Sequence, residues 1–337
     1  GEFPECLHGE TFASLGMKAS PWTPPSYLWL AMEGLAGLEP RAADVGVEPS
    51  LPPEWGWMAL KDVWCGGGQM SIFYWDGVLY SSRPLRSRLD TLPLDTPAEA
   101  VGQTKGKVAL FATCYMNRNE PGPGEDLAAV FAHNGIPVTL AEKERCCGMP
   151  KLELGDLDSV REAKEANIPV LAKLVDAGWD LTALVPSCVL MFKQELPLMF
   201  PDDADVQKVK NAFYDPFEYL MLRHKEGKLQ TDFKSPLGKV SYHAACHQRV
   251  QNIGPKTKEA LSLVPGTEVD IIERCSGHDG TYAVKQEFHE FAVKIVKPVV
   301  KRVNEAQPDH YGSDCAMAGH HIGHVRAEHP GRSFGRA

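Results

Sequence analysis

What this 337-residue chain lacks narrows its function first. No apolar run approaches the ~18 residues that a membrane-spanning helix needs, so a spanning segment is not expected. Basic charge is not in excess. Its 35 Lys and Arg face 44 Asp and Glu, a net charge of −9, and no basic face is implied for nucleic acid. The opening stretch, GEFPECLHGE, lacks the charged and apolar regions of a secretory signal. A cytoplasmic, reducing compartment is therefore the expectation. The nine cysteines then read as ligands or redox thiols rather than as a disulfide framework.

Residue usage divides the chain. Six of the seven tryptophans precede residue 76, whereas seven of the nine cysteines follow residue 100. The polar, proline-containing stretch 86–105 reads as a linker between the two parts. The last residues, 323–337, are basic, glycine-rich and without periodicity, and are expected to form a disordered tail.

The second part repeats itself. GKVALFATC (106–114) and GKVSYHAAC (238–246) are strand-like runs that end in cysteine. Each leads through a helix-like segment and a second strand to Cys146-Cys147-Gly148 or Cys275-Ser276-Gly277. An amphipathic helix follows (156–178 and 282–306), then a third strand ending in Cys188 or Cys315. Cys246 follows Cys114 by 132 residues, Cys275 follows Cys146 by 129, and Cys315 follows Cys188 by 127. This order predicts an α/β fold: two pseudo-repeated βαβ-type cysteine-rich units, 106–237 and 238–322, with parallel sheets. A short α+β segment over 1–85 precedes them.

Every repeated cysteine falls at or just beyond the carboxyl end of a strand, where open α/β sheets bind ligands. Two sets are expected: Cys114, Cys146, Cys147 and Cys188, then Cys246, Cys275 and Cys315. Thiolates converging from three loops suit an iron–sulfur cluster or zinc. Adjacent cysteines serve a tetrahedral zinc poorly but can reach neighbouring irons. Metal-free structural thiols are the third reading. Gly148 and Gly277 are expected to let the backbone approach a cluster and to offer N–H groups to sulfur.

The stretches FATCYMNRNEPG, ERCCGMPKLELGD, VPSCVLMFKQE, YHAACHQRVQNIG, ERCSGHDGTYAVK and SDCAMAGHHI carry a resemblance. Residues ~106–322 resemble the duplicated cysteine-rich domain found in the B-type subunit of heterodisulfide reductase. The C-type subunit of anaerobic glycerol-3-phosphate dehydrogenase and the lactate-utilisation iron–sulfur oxidoreductases share that domain. The resemblance implies electron transfer through iron–sulfur clusters of the 4Fe-4S kind, served by a redox partner protein or ferredoxin-like subunit. The family pattern is a cysteine, a distant Cys-Cys-Gly and a Cys-x-x-Cys, given twice. Here Met191 stands at the end of the first Cys-x-x-Cys, which leaves four thiols rather than the five that hold a noncubane cluster. In the second half Ser276 replaces a cysteine, and Met317 and Ala318 stand near the other missing position. His278 and His247 are the candidates for a fourth ligand there, and an open iron would favour the second set for chemistry. The first hundred residues hold only Cys6 and Cys65, so the family's ferredoxin-like region is not expected in this chain.

Residues 4–40 and 48–82 resemble the last helical hairpin and β-rich tail of amylo-α-1,6-glucosidase-type hydrolases. That resemblance would cast Glu5 as a general base without the barrel that supplies an acid. Around Asp76-Gly77, QMSIFYW and GVLYSS predict a β-hairpin.

Overall fold

The computed structural model describes residues 99–328 except 143–144 and 279–281. Before them it describes 38–40, 45–47, 50–51, 57–65, 68–75, 78–82, 85 and 89. The chain divides into two compact units, Gly1–Arg88 and Leu89–Ala337.

In the first unit, β1 (Leu38–Pro40) pairs antiparallel with β2 (Val45–Val47). Strands β3 (Trp57–Cys65), β4 (Gly68–Trp75) and β5 (Val78–Ser82) form an antiparallel meander. Trp75 pairs with Val78, the register a hairpin around Asp76-Gly77 requires. The helical hairpin expected over 4–40 lies, apart from β1, outside the described residues, as does Glu5.

The second unit is an α/β structure with two parallel sheets. Strands β6 (Val108–Leu110), β7 (Val138–Leu140), β8 (Asp180–Thr182) and β9 (Phe213–Tyr214) lie in the order β7-β6-β8-β9. Strands β10 (Gly238–His243), β11 (Thr267–Ile272) and β12 (His310–Ser313) lie in the order β11-β10-β12. In both halves the first strand is central, with the second and third parallel on either side. Val108, Ala109 and Leu110 are fully buried, as a strand covered on both faces demands. Among the described residues, the two-residue β9 has no counterpart in the second sheet.

Helices cover the sheets. The first half carries α1 (Cys114–Arg118), α2 (Gly122–His133), α3 (Met149–Glu153), α4 (Leu157–Asp176) and α5 (Pro186–Leu190). A π-helical turn (Met191–Glu195) leads to α6 (Leu196–Met199), α7 (Ala204–Ala212) and α8 (Pro216–Lys225). The second half carries α9 (Cys246–Arg249), α10 (Lys256–Leu261), α11 (His289–Ala306) and α12 (Ala316–Glu328). Asp156 caps α4 by accepting from Ser159 N at 3.2 Å. Helix α11 buries Ala292, Val296, Val299, Val300 and Val303, one face at helical spacing, against Ile272 of β11 and Ile322 and Val325 of α12.

Three sequence expectations need correction. Helix α11 begins at His289 rather than 282, because Tyr282–Val284 and Gln286–Phe288 form two 3₁₀ turns. Their Tyr282 and Phe288 rings stack at 4.7 Å. Helix α12 runs to Glu328 through part of the expected tail, because Val325 and Arg326 are buried. Residues 99–105, read as linker, are fastened to the first half. Buried Arg223 donates to Glu99 O at 3.0 Å, and Asp180 Oδ2 accepts from Lys105 N at 2.5 Å.

The two halves meet near two buried acids. Asp215 caps α8 in a capping box, accepting from Phe217 N at 3.0 Å, and is charge-coupled to Asp314 of the second half. Burial, then Asp314, pushes the Asp215 carboxyl up to about 7, against the N–H groups of Glu218 and Phe217. A raised folded-state value means that this group's stabilisation is full below pH ~4 and is lost as pH rises through about 7. Asp215→Asn keeps the cap and removes the charge. Its stability relative to the parent chain is expected to rise by ~2–4 kcal/mol between pH 4 and pH 8. Urea denaturation across that range checks it, and a pH-independent difference would refute the assignment.

Candidate functional site

The parallel topology sets the geometry of the thiols. Cys114 opens α1 just beyond β6, Cys146 and Cys147 follow β7, and Cys188 lies in α5 beyond β8. The first set is therefore gathered at the carboxyl edge of one sheet. The Cys188 thiol donates to Cys147 Sγ at 3.2 Å. Cys146 is hydrogen-bonded to both Cys147 and Cys114. Four sulfurs thus form one continuous chain, from exposed Cys114 to buried Cys147 and Cys188.

This environment favours negative charge on one sulfur. Hydrogen bonds from Cys114 and Cys147, then the Gly148 N–H and the Lys151 charge, hold Cys146 well below the ordinary thiol range. Cys114 and Cys147 are driven up, because ionising either would give up its hydrogen bond to Cys146.

Asn167 of α4, which the sequence reading missed, braces the paired cysteines. Buried to 1 % exposure, it accepts from Arg145 N at 2.8 Å. Its amide donates to Arg145 O at 3.3 Å and Cys146 O at 3.1 Å. No local motif marks such a residue, since its partners lie more than twenty positions away. Thr113 is also under constraint, with φ 60° immediately before Cys114. Its hydroxyl accepts from Met116 N at 3.0 Å.

The two glycines behave in parallel. The Gly148 N–H bonds Cys146, and the Gly277 N–H donates to Cys275 Sγ at 3.4 Å. The expected N–H groups at sulfur are present. Positive φ favours glycine at both turns, and at Gly277 the neighbouring helix does so as well. Gly148 has φ 99°, and a Cβ there would meet Ala163 of α4 and Met191 at 3.4 Å. Gly277 has φ 72°, and a Cβ there would stand 2.4 Å from Ala292 O of α11.

The second set occupies the matching edge. Cys246 opens α9 beyond β10, Cys275 follows β11, and Cys315 lies between β12 and α12. Burial raises the Cys315 thiol, while the N–H groups of Ala318 and Met317 at the start of α12 oppose that rise. Cys246 lies close enough for its charge to add to the effect. Ser276, at the position of Cys147, is buried. His278 Nε2 meets Met317 Sδ at 3.2 Å, and His247 Nε2 meets Glu153 of the first half at 3.4 Å. Met191 is wholly buried in the first half. Among the described residues, no three His, Cys, Asp or Glu side chains are disposed to hold a single metal ion in common.

The two rims face each other. Helix α9 packs on α5, and Gln251 Nε2 donates to Pro186 O at 3.4 Å. His320 pairs with Glu120 across the same junction. Tyr115, beside Cys114, has its hydroxyl raised to about 12 by burial, then by Glu120 and Cys315. A groove of about 470 Å³ opens beside Cys246, lined also by Gln248, Arg249, Asn252, Ile271 and Glu273. Among the described residues, no helix is long and apolar enough to cross a membrane.

Comparison with known proteins matches the CCG cysteine-rich domain at residues 108–193 and again at 240–322. The C-type subunit of anaerobic glycerol-3-phosphate dehydrogenase from Escherichia coli (strain K12) is 30% identical over 233 residues, 68% of this chain and 58% of that relative. Lactate utilization protein A of Geobacillus kaustophilus is 28% identical over 218 residues, 62% of this chain and 87% of that relative. The Bacillus cytotoxicus protein of the same name is 29% identical over 218 residues, with the same coverage. The chain thus spans a little over half the length of the dehydrogenase component it matches. The glycoside-hydrolase resemblance read over residues 1–85 finds no support in these comparisons.

Proposed function

The chain belongs to the CCG cysteine-rich domain family, and from that premise we propose that it is an iron–sulfur oxidoreductase or electron-transfer subunit. In this reading Cys114, Cys146, Cys147 and Cys188 hold one cluster. Cys246, Cys275 and Cys315 hold another, with one position left for an outside ligand. The observation that carries the reading is the continuous chain of four sulfurs at the first rim. That all-sulfur donor set fits an iron–sulfur cluster of the 4Fe-4S kind, which when bound would supply reversible one-electron chemistry.

The chain's own groups prepare each rim for negative charge. The Gly148 and Gly277 N–H groups donate to sulfur, and Lys151 adds a positive charge beside Cys146. Asn167 fixes the backbone carrying the paired cysteines. At the second rim Ser276 stands where the family pattern has a thiol, and Met317 and Ala318 stand near the other missing one, so a substrate sulfur or oxygen entering by the groove beside Cys246 would complete the set. One relative is by name a dehydrogenase component. Electrons are accordingly assigned to a redox partner protein or ferredoxin-like subunit, in the cytoplasm.

Anaerobic purification followed by iron, acid-labile sulfide and EPR analysis tests this. Iron and sulfide in equal amounts, ~4 of each per cluster, are expected, with a signal appearing on dithionite reduction. Stoichiometric zinc without labile sulfide would overturn the proposal in favour of a zinc-stabilised scaffold.

A further inference from the structure

The second rim is held by a side chain with no counterpart in the first. His243 ends β10 and is 2 % exposed. Its Nε2 lies 2.8 Å from Arg274 O, and its Nδ1 lies 2.9 Å from Ser313 Oγ. A carbonyl oxygen can only accept, so Nε2 carries the hydrogen and Nδ1 accepts from the serine hydroxyl. Ser313 Oγ in turn accepts from Cys315 N at 3.3 Å. The result is one directed chain, from the Cys315 amide through Ser313 and the imidazole to the carbonyl immediately before Cys275.

Position supports the same reading. His243 lies three residues before Cys246 on the central strand, Arg274 directly precedes Cys275 beyond β11, and Ser313 lies two before Cys315 at the end of β12. One ring therefore joins all three cysteine-bearing loops. The aligned position of the first half is Phe111, whose ring packs edge-on against Phe192 at 5.0 Å and makes no such tie. The first rim has four thiols and the Asn167 brace, whereas the second has three thiols. On the opposite face of β10, Tyr242 bonds Asp314, which also accepts from Thr257 at 2.7 Å. Cys315 is thus anchored from both faces of the strand.

We propose that His243 is the positioning residue of the second cysteine set, holding the Cys246, Cys275 and Cys315 loops in register for their common ligand. The proposal rests on the iron–sulfur reading for the identity of that ligand, but not for the tie itself. Three variants separate its parts. His243→Gln can still donate to Arg274 O, His243→Asn can still accept from Ser313, and His243→Phe does neither.

In the metal-free full chain, amide exchange over 272–277 and 312–318 is expected to quicken roughly tenfold in His243→Phe. Residues 112–118, 145–150 and 186–191 should keep the parent rate. His243→Gln should protect 272–277 alone, and His243→Asn should protect 312–318 alone. In the anaerobically isolated chain, His243→Phe is expected to lose about half the iron, together with one of two EPR signals. Unchanged exchange in His243→Phe, or faster exchange at all six cysteine loops alike, would overturn the positioning role. Loss of both signals together would do the same. A parent chain that carries no iron would instead defeat the iron–sulfur reading, and the exchange measurements would still decide the role of His243.

Discussion

Cys147→Ser is expected to remove about half of the bound iron and to cost ~1–3 kcal/mol of stability in the metal-free chain. The two effects have separate causes. The iron is lost because a hydroxyl is a poor substitute for a thiolate ligand. The stability is lost because Cys147 is buried between Cys146 and Cys188, where its sulfur takes the 3.2 Å contact from the Cys188 thiol. Cys114→Ser provides the control. Cys114 is exposed at the open end of the same chain of sulfurs, so its loss should cost the same iron and under ~1 kcal/mol. Iron assay of the anaerobic protein and urea denaturation of the metal-free protein read the two effects independently. Full iron in both variants would remove these residues from the ligand set.

Gly277→Ala is expected to destabilise the metal-free chain by ~3–5 kcal/mol, and Gly148→Ala by only ~1–2 kcal/mol. Both residues have positive φ, 72° and 99°, so both alanines meet backbone strain. Only the Gly277 variant drives its new methyl into a backbone oxygen, 2.4 Å away at Ala292 in the first turn of α11. That oxygen belongs to a helix whose apolar face is locked into the second half's core, so it cannot yield without unpacking Val296 and Val299. The methyl at position 148 meets only Ala163 Cβ and the flexible end of Met191, both at 3.4 Å. Denaturation of the two variants side by side checks the ranking, and equal costs would refute the packing explanation.

Much of this architecture was legible in the sequence because it is encoded locally. Strand-like runs ending in cysteine, repeated at nearly constant spacing, led to two parallel βαβ-type units with thiols at their carboxyl edges. A further signal was present and unused. Pro169 and Pro298 lie inside α4 and α11, separated by the same 129 residues as Cys146 and Cys275. What the sequence withheld depends on distant partners. Asn167 acts through a loop more than twenty residues away, and His243 through Arg274 and Ser313, 31 and 70 residues on. At Gly277 a further constraint comes from Ala292 O of α11, which nothing local reveals. The late start of α11 and the reach of α12 were missed for the same reason, since ring stacking and burial, not periodicity, decide those ends.

The shared backbone of the two glycine turns bears on how such a chain can change over time. In the first half the turn carries Cys146 and Cys147, and in the second it carries Cys275 and Ser276, yet both turns hold positive φ against a long helix. A turn set by its glycine's positive φ can exchange a thiol for a hydroxyl and keep its contour. The duplicated frame is therefore a stable chassis on which coordination number is free to drift, one residue at a time. The rim with four thiols and the rim with three rest on the same arrangement of a central strand with parallel neighbours.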